Sequence, residues 1–263
     1  MTRKPKSDYA IQTVTNALRL LDVFRRVDEI GVADLARELD LHKNNVFRLL
    51  ATMEECGYIE QSPATDRYRL GIAVHGLGQA FTRSRPLLGR ALPILEGLRD
   101  ETDETVHLAV RDGFEVVHLL GLAPEREISI AVRTGRRLPI HCTALGKVLL
   151  GCSPERTWRE YDEKVGKRGK LTRVTSNTIE DSDKFFEHLR TVAGHGYALD
   201  FSELEDGLAC AAAPVFGGEG ELVAALSVSA PLFRVGEEAF LGDLRTQVVR
   251  AAESLSEALG YNA

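Results

Sequence analysis

Residues 32–59, VADLARELDLHKNNVFRLLATMEECGYI, decide the fold of the first part of this chain. Val32, Leu35, Ala36 and Leu39 recur at helical spacing, and Val46, Leu49, Leu50 and Met53 do so again after a break at residues 40–42. Gly57 predicts a left-handed stop for the second helix, after which Tyr58, Ile59 and Glu60 read as a strand. Upstream, Ile11, Val14, Leu18, Leu21 and Phe24, with Ala17 and Leu20 beside them, predict an amphipathic helix over 11–27. Downstream, the turn-forming Ser62-Pro63-Ala64-Thr65-Asp66 leads into a second strand at 67–70. Three helices and a two-stranded wing make a winged helix-turn-helix.

The apolar stripe of the third helix leaves Lys43, Asn44, Asn45, Phe47 and Arg48 on its other faces, in the N-terminal half. That is where a recognition helix presents base contacts in the major groove. Asn bonds bidentately to adenine, whereas Lys and Arg bond guanine or anchor on phosphate. Arg67 and Arg69 on the wing are placed for phosphate or the minor groove. The bland alternative is a solvated polar face, and the helix spacing, the glycine stop and the wing together weigh against it. Double-stranded DNA is therefore the expected partner.

Composition alone would not point there, because the 263-residue chain carries a formal charge of −6. The charge is divided unevenly. Residues 1–90 hold 14 Lys and Arg against 11 Asp and Glu, and the remainder holds 19 against 28. A basic front and an acidic rear suit a small DNA-contacting module joined to a second domain with another task. No apolar run reaches about 18 residues, and residues 1–10 are polar and basic without an apolar signal region. A cytoplasmic protein without a membrane partner is expected. Cys56, Cys142, Cys152 and Cys210 show no paired spacing, which predicts reduced, buried thiols and no metal centre.

Residues 71–85, GIAVHGLGQAFTRSR, keep a helical pattern through Ile72, Val74, Leu77 and Phe81, and Leu88, Leu92, Leu95 and Leu98 resume it after Pro86. From Thr105 the period becomes two: TVHLAVRDGFEVVHLLGL is a hairpin around Asp112-Gly113. Further strands are predicted at 127–132, 197–202, 208–216 and 222–230. A short helix over 143–152 should be capped by Thr143, another should start at Pro154, and one long helix should run over 235–259. The expected architecture is α+β, divided into a winged helix-turn-helix at 9–70, a linker helix at 71–86 and a second domain at 87–263.

LPIHCTALGKVLL at 138–150, YALDFSELEDGLAC at 197–210, ALSVSAP at 225–231 and the RYRLG wing at 67–71 extend this pattern. Together with the helix-turn-helix they resemble the IclR family of bacterial transcriptional regulators, in order and over roughly residues 9–260. The resemblance implies a GAF-like effector-binding second domain, a small-molecule effector, and homodimers that pair into tetramers on operator DNA. It also implies an effector pocket edged by Ile130, Leu138, Ala144, Leu145, Asp200, Leu208, Cys210, Ser227 and Ser229. Apolar walls with an anion-accepting helix N-terminus at 143–152 suit a small organic or aromatic acid. The plain alternative is that Ile130, Leu138 and Leu208 are core and that the two serines alternate on a sheet face. Members of the family often have a proline followed by Lys or Arg, Ser and Thr at the start of the recognition helix. This chain has His42-Lys43-Asn44-Asn45, so an operator preference does not carry over.

The competing class is an enzyme, or a redox or metal sensor, in which His141, Cys142, Asp200, Glu203 and Cys210 converge. The adjacency of His141 and Cys142 argues against a mutual hydrogen bond on a strand, where neighbours point to opposite faces. TALGKV lacks the glycine spacing and the hydroxyl residue of a phosphate loop. No catalytic residue and no cofactor is expected.

Overall fold

The computed structural model describes residues 10–166 and 169–262, so residues 1–9, where the basic N-terminal stretch lies, fall outside it. The chain divides into two compact units, Met1–Arg85 and Pro86–Ala263.

In the first unit α1 (Gln12–Val23), α2 (Val32–Leu39) and α3 (Lys43–Glu55) pack around Leu20, Leu35, Val46 and Leu50, all fully buried. Burying one such side chain stabilises the fold by about 1.5–3 kcal/mol. The α2–α3 turn opens on Asp40, whose φ of 54° is left-handed. Gly57 takes the left-handed stop its position predicts, at φ 76°. Strands β1 (Ile59–Gln61) and β2 (Tyr68–Leu70) form the antiparallel wing, with Glu60 opposite Arg69. Helix α4 (Ile72–Arg83) follows and buries none of its residues within the chain.

Two expectations need correcting here. Helix α1 ends at Val23, not at 27, because Phe24 turns into the core with its N–H on Leu21. Its apolar residues also split between two faces: Leu20 and Val23 are core, whereas Ile11, Val14 and Leu18 are exposed. Cys56, expected to be buried, caps α3 at the surface.

The second unit is a six-stranded antiparallel sheet in the order β5-β4-β3-β8-β7-β6. Its strands are β3 (Thr105–Asp112), β4 (Glu115–Leu122), β5 (Arg137–Pro139), β6 (Ala198–Phe201), β7 (Leu208–Phe216) and β8 (Leu222–Pro231). Alternation assigns the two faces. Val106, Leu108, Ala211, Ala213, Leu226 and Val228 pack with α5 (Pro86–Thr102) and α11 (Asp243–Ala258). Ala109, Val116, Ala198, Ala212 and Ala225 face the opposite side, under α6 (Ala144–Gly151), α7 (Glu155–Lys164) and α8 (Ser182–His195). The small alanines let α6, whose eight residues are all buried, lie close on the sheet. No helix among the described residues is long and apolar enough to cross a membrane.

The strand expected at 127–132 is absent. The segment is irregular because side chains take its backbone groups: Thr105 Oγ1 donates to the Ile130 carbonyl at 2.7 Å and Arg234 to that of Ile128 at 2.7 Å. The β4 edge beside it is closed instead by β5, with Val116 opposite Leu138. The single helix expected over 235–259 is three: α9 (Leu232–Val235), α10 (Glu237–Leu241) and α11, broken at Gly236 and Gly242. Gly236 has φ 76°, a conformation that helices exclude.

Candidate functional site

Two surfaces gather polar residues. On α3, Lys43, Asn44, Asn45, Phe47 and Arg48 are all exposed, with Phe47 at 56%. No hydrogen bond or ion pair among the described residues engages the side chains of Lys43, Asn44, Asn45 or Arg48, so all four remain free to bond outward. The helix start that lacks a proline is made by His42, whose Nδ1 accepts the Asn44 N–H at 3.3 Å. A side-chain acceptor at this position satisfies one of the helix's unpaired donors. The wing arginines differ, because both are engaged. Arg69 Nε donates to Glu60 at 2.6 Å, and Arg67 donates to the Glu29 carbonyl at 3.2 Å.

The second surface is the polar end of the sheet face that carries α6. Cross-strand register sets Asp200, Cys210, Ser229 and Thr105 in one row over four strands. The next row places Ser227 opposite His107. These positions share a face with the alanines under α6, so the sheet changes from apolar to polar along its own strands. The polar end floors a cavity. All nine residues named from the resemblance line it, joined by His107, His118, Arg133, Thr143 and Leu204. Its free volume is about 30 Å³, room for a water or two.

Each wall has a local cause. Thr143 caps α6 as its position predicts, accepting the Gly146 N–H at 3.1 Å, while the Lys147 N–H reaches the Thr143 carbonyl. The N–H groups of Ala144 and Leu145, cavity-lining residues in the first turn of α6, have no intrahelical acceptor, and the positive end of the helix dipole lies behind them. Gly121 lies opposite His107, and a Cβ there would come within 2.8 Å of the imidazole, so glycine makes room for the ring. His107 accepts the Arg133 N–H at 3.2 Å, and Arg133 also pairs with Glu205 at 2.7 Å. These bonds hold Arg133 and its segment against the cavity.

Burial sets the protonation of the site. It pushes His107 down to about 3 and His118 down to about 4, with the Arg133 charge adding to both, so the rings are neutral near pH 7. It pushes Asp200 up to about 7, while the Lys147 charge works the other way. Lys147, fully buried on α6, pairs with Glu203 at 2.5 Å, and the Glu203 N–H bonds Asp200 at 2.8 Å.

Comparison with known proteins agrees with this two-part geometry. The IclR helix-turn-helix domain matches residues 13–63, and the bacterial transcriptional regulator IclR C-terminal model matches residues 79–257. The chain belongs to the IclR family of bacterial transcriptional regulators. Among relatives, it is 35% identical to the HTH-type transcriptional regulator XynR of Escherichia coli K12, over 96% of this chain and 99% of that protein. It is 30% identical to KdgR of Dickeya chrysanthemi, over 98% and 83% respectively. An IclR homolog from Microbacterium hydrocarbonoxydans, solved in complex with 4-hydroxybenzoate, superposes with a TM-score of 0.78 at 25% identity, covering 93% of this chain and 99% of that one.

The IclR chain is thus a DNA-binding regulator with a GAF-like effector domain, and not an enzyme. The residues of the enzyme alternative are accounted for in the fold. His141 does not line the cavity: its Nε2 bonds the Thr172 carbonyl at 2.8 Å and its Nδ1 the Tyr161 hydroxyl at 3.2 Å. Cys142 is fully buried, and burial pushes its thiol up to about 12. Cys210 does line the cavity, but it is pushed up to about 12 as well, and its Sγ donates to Ser229 at 3.1 Å. Neither thiol is a thiolate near neutral pH. Among the described residues no group of three or more His, Cys, Asp or Glu is arranged to hold a metal ion. His107, His118 and Arg133 are cavity residues that sequence reasoning missed. A signal existed in the polar Thr105 and His107 at alternate places of an apolar strand, matching the Ser227 and Ser229 alternation.

Proposed function

We propose that Lys43, Asn44, Asn45, Phe47 and Arg48 read base edges of an operator, with Arg67 and Arg69 on the flanking backbone. The cavity of the second unit holds a small organic acid that changes operator affinity. The observation that carries this reading is a contrast: the polar groups on α3 are exposed and uncommitted, whereas those of the sheet end are enclosed beside the N-terminus of α6. The acid's carboxylate lies on the Ala144 and Leu145 N–H groups, a site that needs no basic side chain. The relative complexed with 4-hydroxybenzoate supports an acid as the ligand class.

An effector acts only through its differential affinity for the DNA-competent state, and a coupling of about 1–3 kcal/mol changes operator binding about 5- to 150-fold. The exposed Ile11, Val14 and Leu18 of α1 and the unburied α4 support a homodimer through the first unit, pairing further into tetramers. A regulator that binds operator DNA would act in the cytoplasm. The test is Ser229→Leu, which fills the cavity: it should abolish the effector's influence in a mobility shift while leaving DNA binding intact. An unchanged effector response would remove the cavity from the mechanism.

A further inference from the structure

Glu29, in the connection from α1 to α2, grips the wing from outside it. Its Oε2 accepts the Thr65 hydroxyl at 2.8 Å, its Oε1 lies 4.0 Å from Arg69, and its carbonyl accepts Arg67 at 3.2 Å. The next residue, Ile30, exchanges both backbone hydrogen bonds with Tyr68, at 3.0 and 2.9 Å. That antiparallel bridge sets Glu29 opposite Arg69, on the side of β2 away from β1. A two-stranded hairpin is marginal by itself in water, and this one takes its third member from 36 positions upstream of Thr65.

We infer that Glu29 is a positioning residue for DNA binding, fixing the wing tip and both wing arginines in the pose from which they meet the duplex backbone. This rests on the reading of Arg67 and Arg69 as backbone contacts. Thr65 belongs to the tip, where Asp66 turns left-handed at φ 55° and the Arg67 N–H reaches the Thr65 hydroxyl at 3.4 Å. Arg67 and Arg69 flank the buried Tyr68 and so share the opposite, exposed face of the strand. By charge alone, a carboxylate beside arginines that meet phosphates opposes binding. What Glu29 supplies is geometry. Among the described residues the Glu60 side chain bonds Arg69 alone, whereas Glu29 joins the tip to both arginines.

The test compares Glu29→Ala with Glu29→Gln in the full-length chain. Both remove the charge, and only glutamine keeps an acceptor oxygen at the same reach for the Thr65 hydroxyl. Backbone contacts carry no sequence information, so fluorescence anisotropy on a mixed-sequence duplex over a salt series reads them. Glu29→Gln should bind at least as tightly as the unmodified chain. Glu29→Ala should bind roughly fivefold to tenfold more weakly than Glu29→Gln, with a salt slope smaller by about one. Thr65→Val removes the donor instead and should lose affinity by a similar factor, and it carries the test if Glu29→Ala does not fold. With Arg67 and Arg69 both replaced by Ala, the gap between the two Glu29 variants should close, which a role confined to stability would not produce. Equal binding by Glu29→Ala and Glu29→Gln, a gap that survives without the arginines, or a Thr65→Val variant that binds like the unmodified chain overturns the inference. The arginine replacements also separate it from the reading beneath. If they leave affinity and salt slope unchanged, the wing does not reach the backbone and both fall. If they weaken binding while Glu29→Ala matches Glu29→Gln, only the assignment of Glu29 falls.

Discussion

The outer face of α3 and the polar end of the second unit's sheet hold similar residue types on opposite terms. On α3 the side chains of Lys43, Asn44, Asn45 and Arg48 are in water, cost the fold almost nothing, and make no bonds among the described residues. In the cavity the polar groups have been taken out of water, so each must be paired within the protein, be neutral, or await a ligand. The difference teaches where stability and function are linked. On α3 they are separable, and in the cavity they are not.

The sharpest break in that contrast is at the buried ion pair. Glu203→Ala leaves the Lys147 charge enclosed on α6 with no countercharge, and it should destabilise the second unit by about 3–5 kcal/mol. Replacing both partners with apolar residues, Lys147→Met with Glu203→Leu, should return most of that loss, because no charge then remains buried. Lys43→Ala on α3 should change stability by no more than about 0.5 kcal/mol. Urea unfolding of the three variants checks the ranking, and equal effects at Lys43 and Glu203 would erase the distinction.

Acid provides the next test. His107 and His118 are held down to about 3 and about 4, and burial lowers His141 and takes His188 to about 4. For groups whose folded pKa is depressed, the contribution to stability is present above their unfolded value near 6.5 and is lost as pH falls toward the folded one. Asp200, raised to about 7, acts in the other direction, as do Glu203 and Glu104, both raised by burial: the Asp200 contribution is full in acid and is lost as pH rises through about 7. Four lowered histidines stand against these three raised carboxylates, with large shifts on His107, His118 and His188 but on Asp200 alone among the carboxylates, so the second unit is expected to lose stability from pH 7 to pH 4. His107→Gln keeps an acceptor for the Arg133 N–H and should shrink that loss by about 3 kcal/mol. Asp200→Asn should deepen it. A pH dependence unchanged in both variants would mean that the buried groups do not govern the acid limb.

On α3 the expected effects fall on binding. Asn44→Ala and Asn45→Ala should each cost about 1–3 kcal/mol of specific operator affinity for a lost bidentate contact, with no change in unfolding midpoint. Quantitative mobility shifts against the operator and a scrambled duplex check this. Equal losses on both duplexes would demote the amides from base reading to backbone contact.

How much of this was legible follows the same division. The helices of the first unit could be read because Leu35, Leu39, Val46, Leu49 and Leu50 repeat at a single helical period and Gly57 marks the stop. The register of Glu60 against Arg69 could not, since it exists only once the wing is paired. In the second unit the hairpin at Asp112-Gly113 and the Thr143 cap were legible because their cause is local. Segment 127–132 alternates like a strand, yet it is tied down by Thr105 and Arg234, more than twenty and a hundred residues away in sequence. Helix α8 went unread despite Phe185, Leu189 and Val192 at helical spacing and an Asp181 cap accepting the Lys184 N–H. The nine cavity residues came from resemblance. His107, His118 and Arg133 join them only through cross-strand pairing and loop closure, which one strand read alone does not show.

The wing gives the smallest effect and the finest discrimination, because it stands between the two regimes. Arg69 is half-exposed, as the free α3 residues are exposed, yet it is spent on Glu60, as the cavity groups are spent on each other. An exposed pair of this kind is worth about 0–1 kcal/mol, so giving it up to reach a phosphate costs little. Glu60→Gln removes the nearer of Arg69's two carboxylate partners, Glu60 at 2.6 Å rather than Glu29 at 4.0 Å, and should tighten binding to any duplex by less than about 1 kcal/mol, more at low salt, without altering sequence preference. Arg69→Ala in that background should cancel the gain and lower the salt slope by about one. If Glu60→Gln leaves affinity unchanged at every salt concentration, Arg69 does not reach DNA, and recognition then rests on α3 and Arg67.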